Sequence, residues 1–501
     1  MKIIFASVTG ILFTKKVYLD NAATTRVRKE VIPVVIRYLK RRYGNPSSAH
    51  RTGLIAMGSL EMARERIANI LNCSSNEIIF TGSGSEGNNM AIKGVLKSAG
   101  KGRKIITSQI EHSSILNTCK SLEKEGVSVK YLKVDEKGRY DLRHLQELLT
   151  DDTTLVSLSY VNNEIGTVQD IDTIGSIVKN KNVLLHLDAV QALPYFNMDM
   201  SKVNADLVTF SGHKLYAPKG IGLLYIREGT PLEALISGGE QESGFRSGTQ
   251  NVASIVGLSK AIVLNHTEKK QYVSSLTAMR NQIIESVLNG IPDSILTGDS
   301  FNRAPNSASF CFKNINGKRL VKELSWAGIE TSSGSACSSA KDDPSHVLSA
   351  CNISNDYILG SLRVTLGRYN TQSDVNYFLK VLPVIISKMR NSKYSQTGNK
   401  AFISQEDFKN KLKKKEPIQI LDVRLFNYPK FWIKDSIPIP FWKLKNNLYK
   451  LNPDSETVVI CHHGDVLAPE TQQMLIKKGF TDVKVLKGGM AGYLQNISHL
   501  R

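Results

Sequence analysis

DLVTFSGHK, residues 206–214, begins as a run of β-branched and aromatic residues and then stops at serine, glycine, histidine and lysine. The first part suits a buried strand; the second cannot extend it. The same form recurs on either side. EIIF (77–80) leads into TGSGSEGNN (81–89), KIITSQ (104–109) into Ile110-Glu111-His112, and LVSLSY (155–160) into VNNEIG (161–166). VLLHLD (183–188) ends on Asp188, with Gln191 one helical turn further on. Helical patterns at 86–98 and 169–180 separate several of these runs. The rhythm predicts α/β units around a mostly parallel sheet. Sites in such sheets gather at the carboxyl ends of strands, so the residue just past each run carries the interest.

Composition bounds the rest. At 501 residues the chain exceeds one ordinary core, and two or three domains are expected. Hydrophobic residues at 41% and charged residues at 22% describe a soluble globular protein. The six cysteines, Cys73, Cys119, Cys311, Cys337, Cys351 and Cys461, form no C-x-x-C pair. That argues against a disulfide framework or a zinc site and for a reducing, cytoplasmic setting. The net charge of +20 is spread along the chain as a solvated surface, and no nucleic-acid recognition module is visible, so no direct nucleic-acid partner is expected. MKIIFASVTGILF at the start has a thin basic region and no clear cleavage site; it reads as an extension over residues 1–16. No apolar run is long enough to span a membrane.

The α/β rhythm continues from residue 17 to about 390. NSKYSQTGNK (391–400) is polar and reads as a linker. Residues 401–501 then form a smaller α/β domain, with strands at IQILDVR (418–424), TVVICHH (457–463) and VKVLKGG (483–489), and a helix over TQQMLIKKG (471–479).

Taken singly, the strand-end residues have structural explanations: a glycine turn, a satisfied histidine, a helix cap. Together they place a phosphate cradle, an imidazole, a carboxylate, an amide and a lysine on one sheet edge. Pyridoxal 5′-phosphate needs that set. A lysine bonds its aldehyde, a carboxylate keeps the ring nitrogen protonated, and backbone N–H groups at a helix start hold its phosphate.

Beyond this, YLDNAATT (18–25), YGNPSSAHRTG (43–53), EHSSI (111–115), VNNEIGTVQ (161–169), HLDAVQ (186–191), SGHKLYAPKGIG (211–222), GFRSGTQN (244–251), SSGSACSS (332–339) and SLRVTLGR (361–368) resemble the motif set of the cysteine desulfurases. These are class V aminotransferases of pyridoxal-phosphate fold type I. The resemblance implies that Lys214 bonds the cofactor and shuttles protons, Asp188 pairs with the ring nitrogen, Gln191 with its phenolic oxygen, and His112 lies over the ring. It implies a phosphate site of Gly84, Ser85, Ser211 and His213, with Thr249 supplied by the other subunit of a homodimer. Asn163 and Arg363 would hold the substrate carboxylate. Cys337 would take sulfur from L-cysteine as a persulfide, leaving L-alanine. Its setting suits that role, because small residues let the thiol move and exposure lets it ionise. The spacing of 337–363 resembles the long-loop group, which serves iron–sulfur scaffolds and tRNA-thiolation enzymes. Two departures are the serine at 85, where many members have threonine, and Ser243 in place of a common arginine. Cys73, Cys119, Cys311 and Cys351 read as structural.

ILDVR (420–424), SIPIP (436–440), VVICHHGD (458–465) and KKGFTDVKVLKGGM (477–490) resemble a rhodanese domain, in which Cys461 would open a persulfide-holding loop. Val466 stands near a common arginine, Asp465 adds negative charge, and Trp432 replaces part of a familiar turn. Two readings follow. Cys461 relays sulfur from Cys337, or the domain is a non-catalytic binding module. For the whole chain, the alternative to a desulfurase is a selenocysteine lyase or another class V β-eliminase.

Overall fold

A computed structural model describes residues 16–99, 104–334, 344–391, 402–424, 433–461, 464 and 467–495. Cys337, Trp432, Asp465, Val466, residues 1–15 of the extension and residues 392–400 of the expected linker lie outside the described residues. The chain divides into two compact units, Met1–Arg390 and Asn391–Arg501.

The larger unit is built on seven strands: β1 (Ile78–Thr81), β2 (Lys104–Ser108), β3 (Ser128–Leu132), β4 (Thr153–Ser159), β5 (Leu184–Asp188), β6 (Leu207–Ser211) and β7 (Gly222–Ile226). Their order is β1-β7-β6-β5-β4-β2-β3. Only β7 is antiparallel to its neighbours, β1 and β6. The carboxyl ends of β1, β2, β4, β5 and β6 therefore share one edge. This is the expected α/β class with its mostly parallel sheet.

Alternation explains why these runs are strands buried on both faces. Ile78, Phe80, Ile106, Val156, Leu158 and Phe210 pack into one core cluster, while Ile79, Ile105, Leu155, Leu207 and Leu224 pack into another. His186, in the middle of β5, is fully buried between Ser157 Oγ (2.8 Å) and Thr209 Oγ1 (2.9 Å) on the flanking strands. Burial pushes its imidazole down to about 3, so it acts as a neutral rivet across three strands.

Element ends differ slightly from those expected. Glu77 closes a capping box with Ser74, its carboxylate accepting the Ser74 N–H at 2.9 Å, so β1 starts at Ile78. The helix expected from residue 86 starts at Gly84, because Ser83 Oγ accepts the Glu86 N–H (3.1 Å) and caps it. Residues 189–195 form turns rather than a helix, so Gln191 is placed by a turn after Asp188.

A second, antiparallel sheet comprises β8 (Ser294–Leu296), β9 (Ser307–Phe312) and β10 (Ser361–Thr365), in the order β10-β9-β8. It carries Arg363 at the middle of β10.

The smaller unit has five parallel strands, β11 (Phe402–Ile403), β12 (Gln419–Asp422), β13 (Ile437–Pro438), β14 (Thr457–Ile460) and β15 (Val483–Leu486), ordered β11-β15-β14-β12-β13. Leu421, Val459 and Val485 face one core, and Ile420, Val458 and Leu486 face the other. β14 ends at Ile460, which leaves Cys461 as the first residue beyond it.

Candidate active site

Asp188 ends β5 and is 7% exposed. Its carboxylate accepts from Asn88 Nδ2 at 2.8 Å and from the Val190 N–H at 3.0 Å. Asn88 lies on α1 (Gly84–Ser98), the helix opened by the glycine-rich run, and its Nδ2 also donates to Ser114 Oγ at 2.9 Å. Its buried Oδ1 has no hydrogen-bond partner among the described residues. An orphaned buried acceptor is costly unless a ligand or water meets it.

Lys214 lies three residues past the end of β6, in a short 3-10 turn. Its Nζ donates to the carbonyls of Ala22 (2.5 Å) and Ala23 (2.7 Å), and Gln191 Nε2 donates to the same Ala22 carbonyl (3.0 Å). The NAATT segment thus turns its backbone oxygens onto the two residues it must hold. Thr25 locks the arrangement, its N–H and Oγ1 both donating to the His213 carbonyl at 2.9 and 2.8 Å.

His112 caps α2 (Ser113–Lys124), with Nδ1 accepting the Ser114 N–H at 3.1 Å. Burial lowers its pKa, Asp188 opposes that, and Lys214 and His346 reinforce it. A neutral ring results, one that carries no charge against a stacked cation or electron-poor ring. His213 is pushed down to about 4, first by burial and then by Lys214, Lys219 and His112; its Nδ1 sits 3.2 Å from Thr24 Oγ1. It offers a ligand a neutral N–H.

The cradle at the start of α1 is tight. A Cβ on Gly84 would come within 2.9 Å of Val190 Cγ2 and 3.3 Å of Ser211 Cβ, so only glycine lets the backbone approach the strand ends there. Ser211 is buried, whereas Ser85 is exposed beside Gly84. First-turn N–H groups and the helix dipole suit an anion.

Arg363 is 2% exposed. Its Nη2 donates to Asp20 Oδ1 (2.9 Å) and its Nη1 to the Asn163 carbonyl (3.2 Å), while its Nε has no partner among the described residues. A guanidinium with a vacant donor suits a carboxylate.

Beneath the edge lies Glu111, fully buried, which no sequence pattern set apart from its neighbour His112. It accepts from Ser108 Oγ (2.6 Å), the Tyr140 hydroxyl (2.6 Å) and Ser159 Oγ. Burial pushes its carboxyl up to about 7 against those three donors. Asn88 likewise carries no signal of its own in sequence, although it lies within the glycine-rich run.

Gly84, Ser85, His112, Asn163, Asp188, Gln191, Ser211, His213, Lys214 and Arg363 thus lie at or beside the strand ends. Thr249 sits on an exposed turn before α3 (Val252–Gly290). Cys73, Cys119, Cys311 and Cys351 have thiols pushed up to about 12 by burial, which keeps them neutral and unreactive.

Cys461 belongs to the other unit. It is 3% exposed, and its Sγ accepts the Gly464 N–H at 3.2 Å. Gly464 has φ +78°, and a Cβ there would lie 2.5 Å from the Leu486 carbonyl oxygen, so the tight turn requires glycine. At the end of the adjacent strand, Arg424 grips Asp422 through Nε (3.0 Å) and Nη2 (2.7 Å), which spends its charge locally. His462 and His463 lie outside the described residues.

Comparison with known proteins accords with this geometry. Residues 17–378 match the family model for aminotransferase class-V, and residues 404–496 match that for a rhodanese-like domain. A cysteine desulfurase IscS of Dictyoglomus turgidum is 45% identical over 384 residues, covering 76% of this chain and 98% of that protein. Among solved structures, a NifS-like protein superposes with a TM-score of 0.71 at 38% identity, covering 75% of this chain and all of that one. The structure of SspA in complex with cysteine gives a TM-score of 0.62 at 35% identity, over 71% of this chain and all of that one. The chain belongs to the class-V aminotransferase family, among its cysteine desulfurases, with a rhodanese-like domain following in the same polypeptide.

Proposed function

We propose that the sheet edge holds pyridoxal 5′-phosphate and converts L-cysteine to L-alanine, and that Cys337 carries the sulfur away as a persulfide. The residues fit the cofactor. An orphaned Asn88 Oδ1 and a carboxylate face the place for a polar ring, the Gly84 cradle leaves room for backbone against phosphate, and a lysine amine stands beside them. When bound, pyridoxal phosphate supplies an electron sink that makes bonds around the substrate's amino-bearing carbon labile.

The chain's own residues do the rest. Asp188, fixed by Asn88 and the Val190 N–H, pairs with the ring nitrogen, and Gln191 with the phenolic oxygen. Gly84, Ser85, Ser211 and the neutral His213 would hold the phosphate, and the neutral His112 would contact the ring. Arg363, through its vacant Nε, and Asn163 orient the substrate carboxylate. Lys214 would hold the cofactor through its aldehyde, and its amine would move protons to and from the substrate carbons. The Cys337 thiolate forms the S–S bond with its own electron pair; the C–S bond breaks with its pair left on carbon, and a proton completes alanine. No external oxidant is needed. The observation carrying this reading is the convergence of Lys214, Asp188 and Asn88 at one edge with Arg363 alongside.

A homodimer completes the site. Ile36 and Leu39 of helix Ile32–Lys40, at 44% and 64% exposure, with Leu54 and Met62 of helix Arg51–Leu71, at 61% and 51%, make an apolar surface suited to a second copy. Thr249, exposed in its own chain, then serves the phosphate site of the other subunit. The sulfur goes to an iron–sulfur scaffold or a tRNA-thiolation enzyme, by way of Cys461 where the persulfide exchanges thiol for thiol. The Gly464 N–H on its sulfur supports that role. The unbonded cysteines suit a cytoplasmic location, and among the described residues no helix is long and apolar enough to cross a membrane.

Alanine formation from L-cysteine with a thiol acceptor tests the reading. Cys337→Ser should lose it by about a hundred-fold or more. Parental alanine formation in that variant would instead indicate a selenocysteine-lyase type of reaction that does not use the Cys337 thiol, and pyruvate in place of alanine would indicate a β-eliminase.

A further inference from the structure

The described residues flanking the 335–343 segment are tied to β10 and to the segments that follow β2 and β4, at a proposed site residue or its immediate neighbour. On the amino side, Ser332 pairs with Arg363 through both backbone groups: the Ser332 N–H donates to the Arg363 carbonyl (3.2 Å) and the Arg363 N–H to the Ser332 carbonyl (2.7 Å). On the carboxyl side, Ser345 Oγ donates to Glu164 Oε2 at 2.6 Å, and His346 Nε2 lies 3.1 Å from the Glu111 carbonyl oxygen. Glu164 follows Asn163, and Glu111 precedes His112.

Glu164 is unlike an ordinary surface carboxylate. It is 3% exposed, and its place is set at three points. Its N–H donates to Asn162 Oδ1 (2.9 Å), its carbonyl accepts from Ser309 Oγ (2.6 Å), and the next carbonyl, of Ile165, accepts from Arg303 Nη1 (2.9 Å). Its side chain bonds the carboxyl-side stem and lies close to the amino-side one. Besides bonding Ser345, its Oε2 lies 3.3 Å from where a Cβ on Gly334 would be, and Gly334 has φ +70°. Ser345 in turn caps helix His346–Ala350 through the Val347 and Leu348 N–H groups (3.2 and 3.3 Å).

We propose that Glu164 is a positioning residue for sulfur transfer, fixing Ser345, on the carboxyl side of the Cys337 segment, to the strand end that carries Asn163. The inference rests on the reading of Cys337 given above. With Ser332 paired to Arg363, the Ser345 bond fixes the second end of the segment beside the residues proposed to seat the substrate, and fixed ends lower the entropic cost of bringing two groups together. Glu164 itself touches neither substrate nor cofactor.

The holoenzyme is mixed with L-cysteine, quenched and alkylated, and persulfide on Cys337 is followed by mass spectrometry; the change in cofactor absorbance reports L-cysteine binding in parallel. Glu164→Ala should slow persulfide formation about ten-fold, with half-saturation by L-cysteine held within about two-fold. Glu164→Gln, which keeps an acceptor for Ser345, should recover most of the rate. Ser345→Ala should match Glu164→Ala, and the double variant should be no slower than either. Parental rates in Glu164→Ala, a half-saturation that rises in step with the lost rate, or losses that multiply in the double variant would each overturn the inference. Should Glu164→Ala not fold, Ser345→Ala decides by the same criteria. Failure of the parent reading registers separately, as parental alanine formation in Cys337→Ser.

Discussion

The chain has two parallel-sheet edges, and they are furnished very differently. In the larger unit, the ends of β2, β5 and β6 bring together a doubly bonded carboxylate, a lysine on two carbonyls and two neutral histidines, beside a buried arginine of β10 whose Nε has no partner among the described residues. Among the described residues of the smaller unit, the strand ends hold a cysteine that accepts the Gly464 N–H on its sulfur, beside an arginine bonded to an aspartate. Breaking a carbon–sulfur bond requires charge to build and move, and preorganised polar groups must meet it. Holding a sulfur already activated as a persulfide requires little more than a thiol and a donor. On the function proposed above, the difference separates an edge that performs a reaction from one that would carry its product.

The largest effect should come from the first edge. Lys214→Ala should lower alanine formation about a thousand-fold or more, measured as alanine released from L-cysteine, while the rate of Cys461 alkylation stays unchanged. A loss of both would mean that the two edges are not independent.

Stability should separate them next. Glu111, under the first edge, has its carboxyl raised from 4.5 to about 7. A raised carboxyl stabilises the fold in full below its unfolded value and loses that contribution as pH climbs through its folded value. The cost to the folded state therefore accumulates between pH 4.5 and 7, up to about 3 kcal/mol. In Glu111→Gln this titration is gone, so denaturant unfolding should show the variant gaining on the parent as pH rises from 5 to 8. Parallel curves would contradict it.

The smallest effect belongs to the second edge. Cys461→Ala should leave alanine formation untouched and reduce sulfur delivery to a thiol acceptor about five-fold, as expected for loss of a tethered carrier. Unchanged delivery would make the smaller unit a binding module.

Much of the larger edge was legible in sequence because hydrophobic runs that stop at polar residues mark strand ends directly. Lys214, Asp188 and His112 each stand within a few residues of such a stop. Strand direction was less legible: β7 runs antiparallel, yet its residues are as apolar as those of its parallel neighbours. Asn88 and Glu111 were hidden because their roles arise from contacts across the fold. Asn88 meets Asp188 a hundred residues away, and Glu111 meets Tyr140 and Ser159. Glu164 was hidden for the same reason, since its link to Ser345 spans 181 positions. At the second edge, Cys461 was visible as a cysteine ending an apolar run, but the Gly464 N–H on its sulfur is a matter of backbone turn geometry alone.

The most direct measurement is mass spectrometry of the holoenzyme after brief exposure to L-cysteine, with parent and Lys214→Ala side by side. The account predicts one added sulfur on the Cys337 peptide of the parent, in step with alanine released, and none in the variant. Alanine released with no sulfur ever present on Cys337 would contradict it.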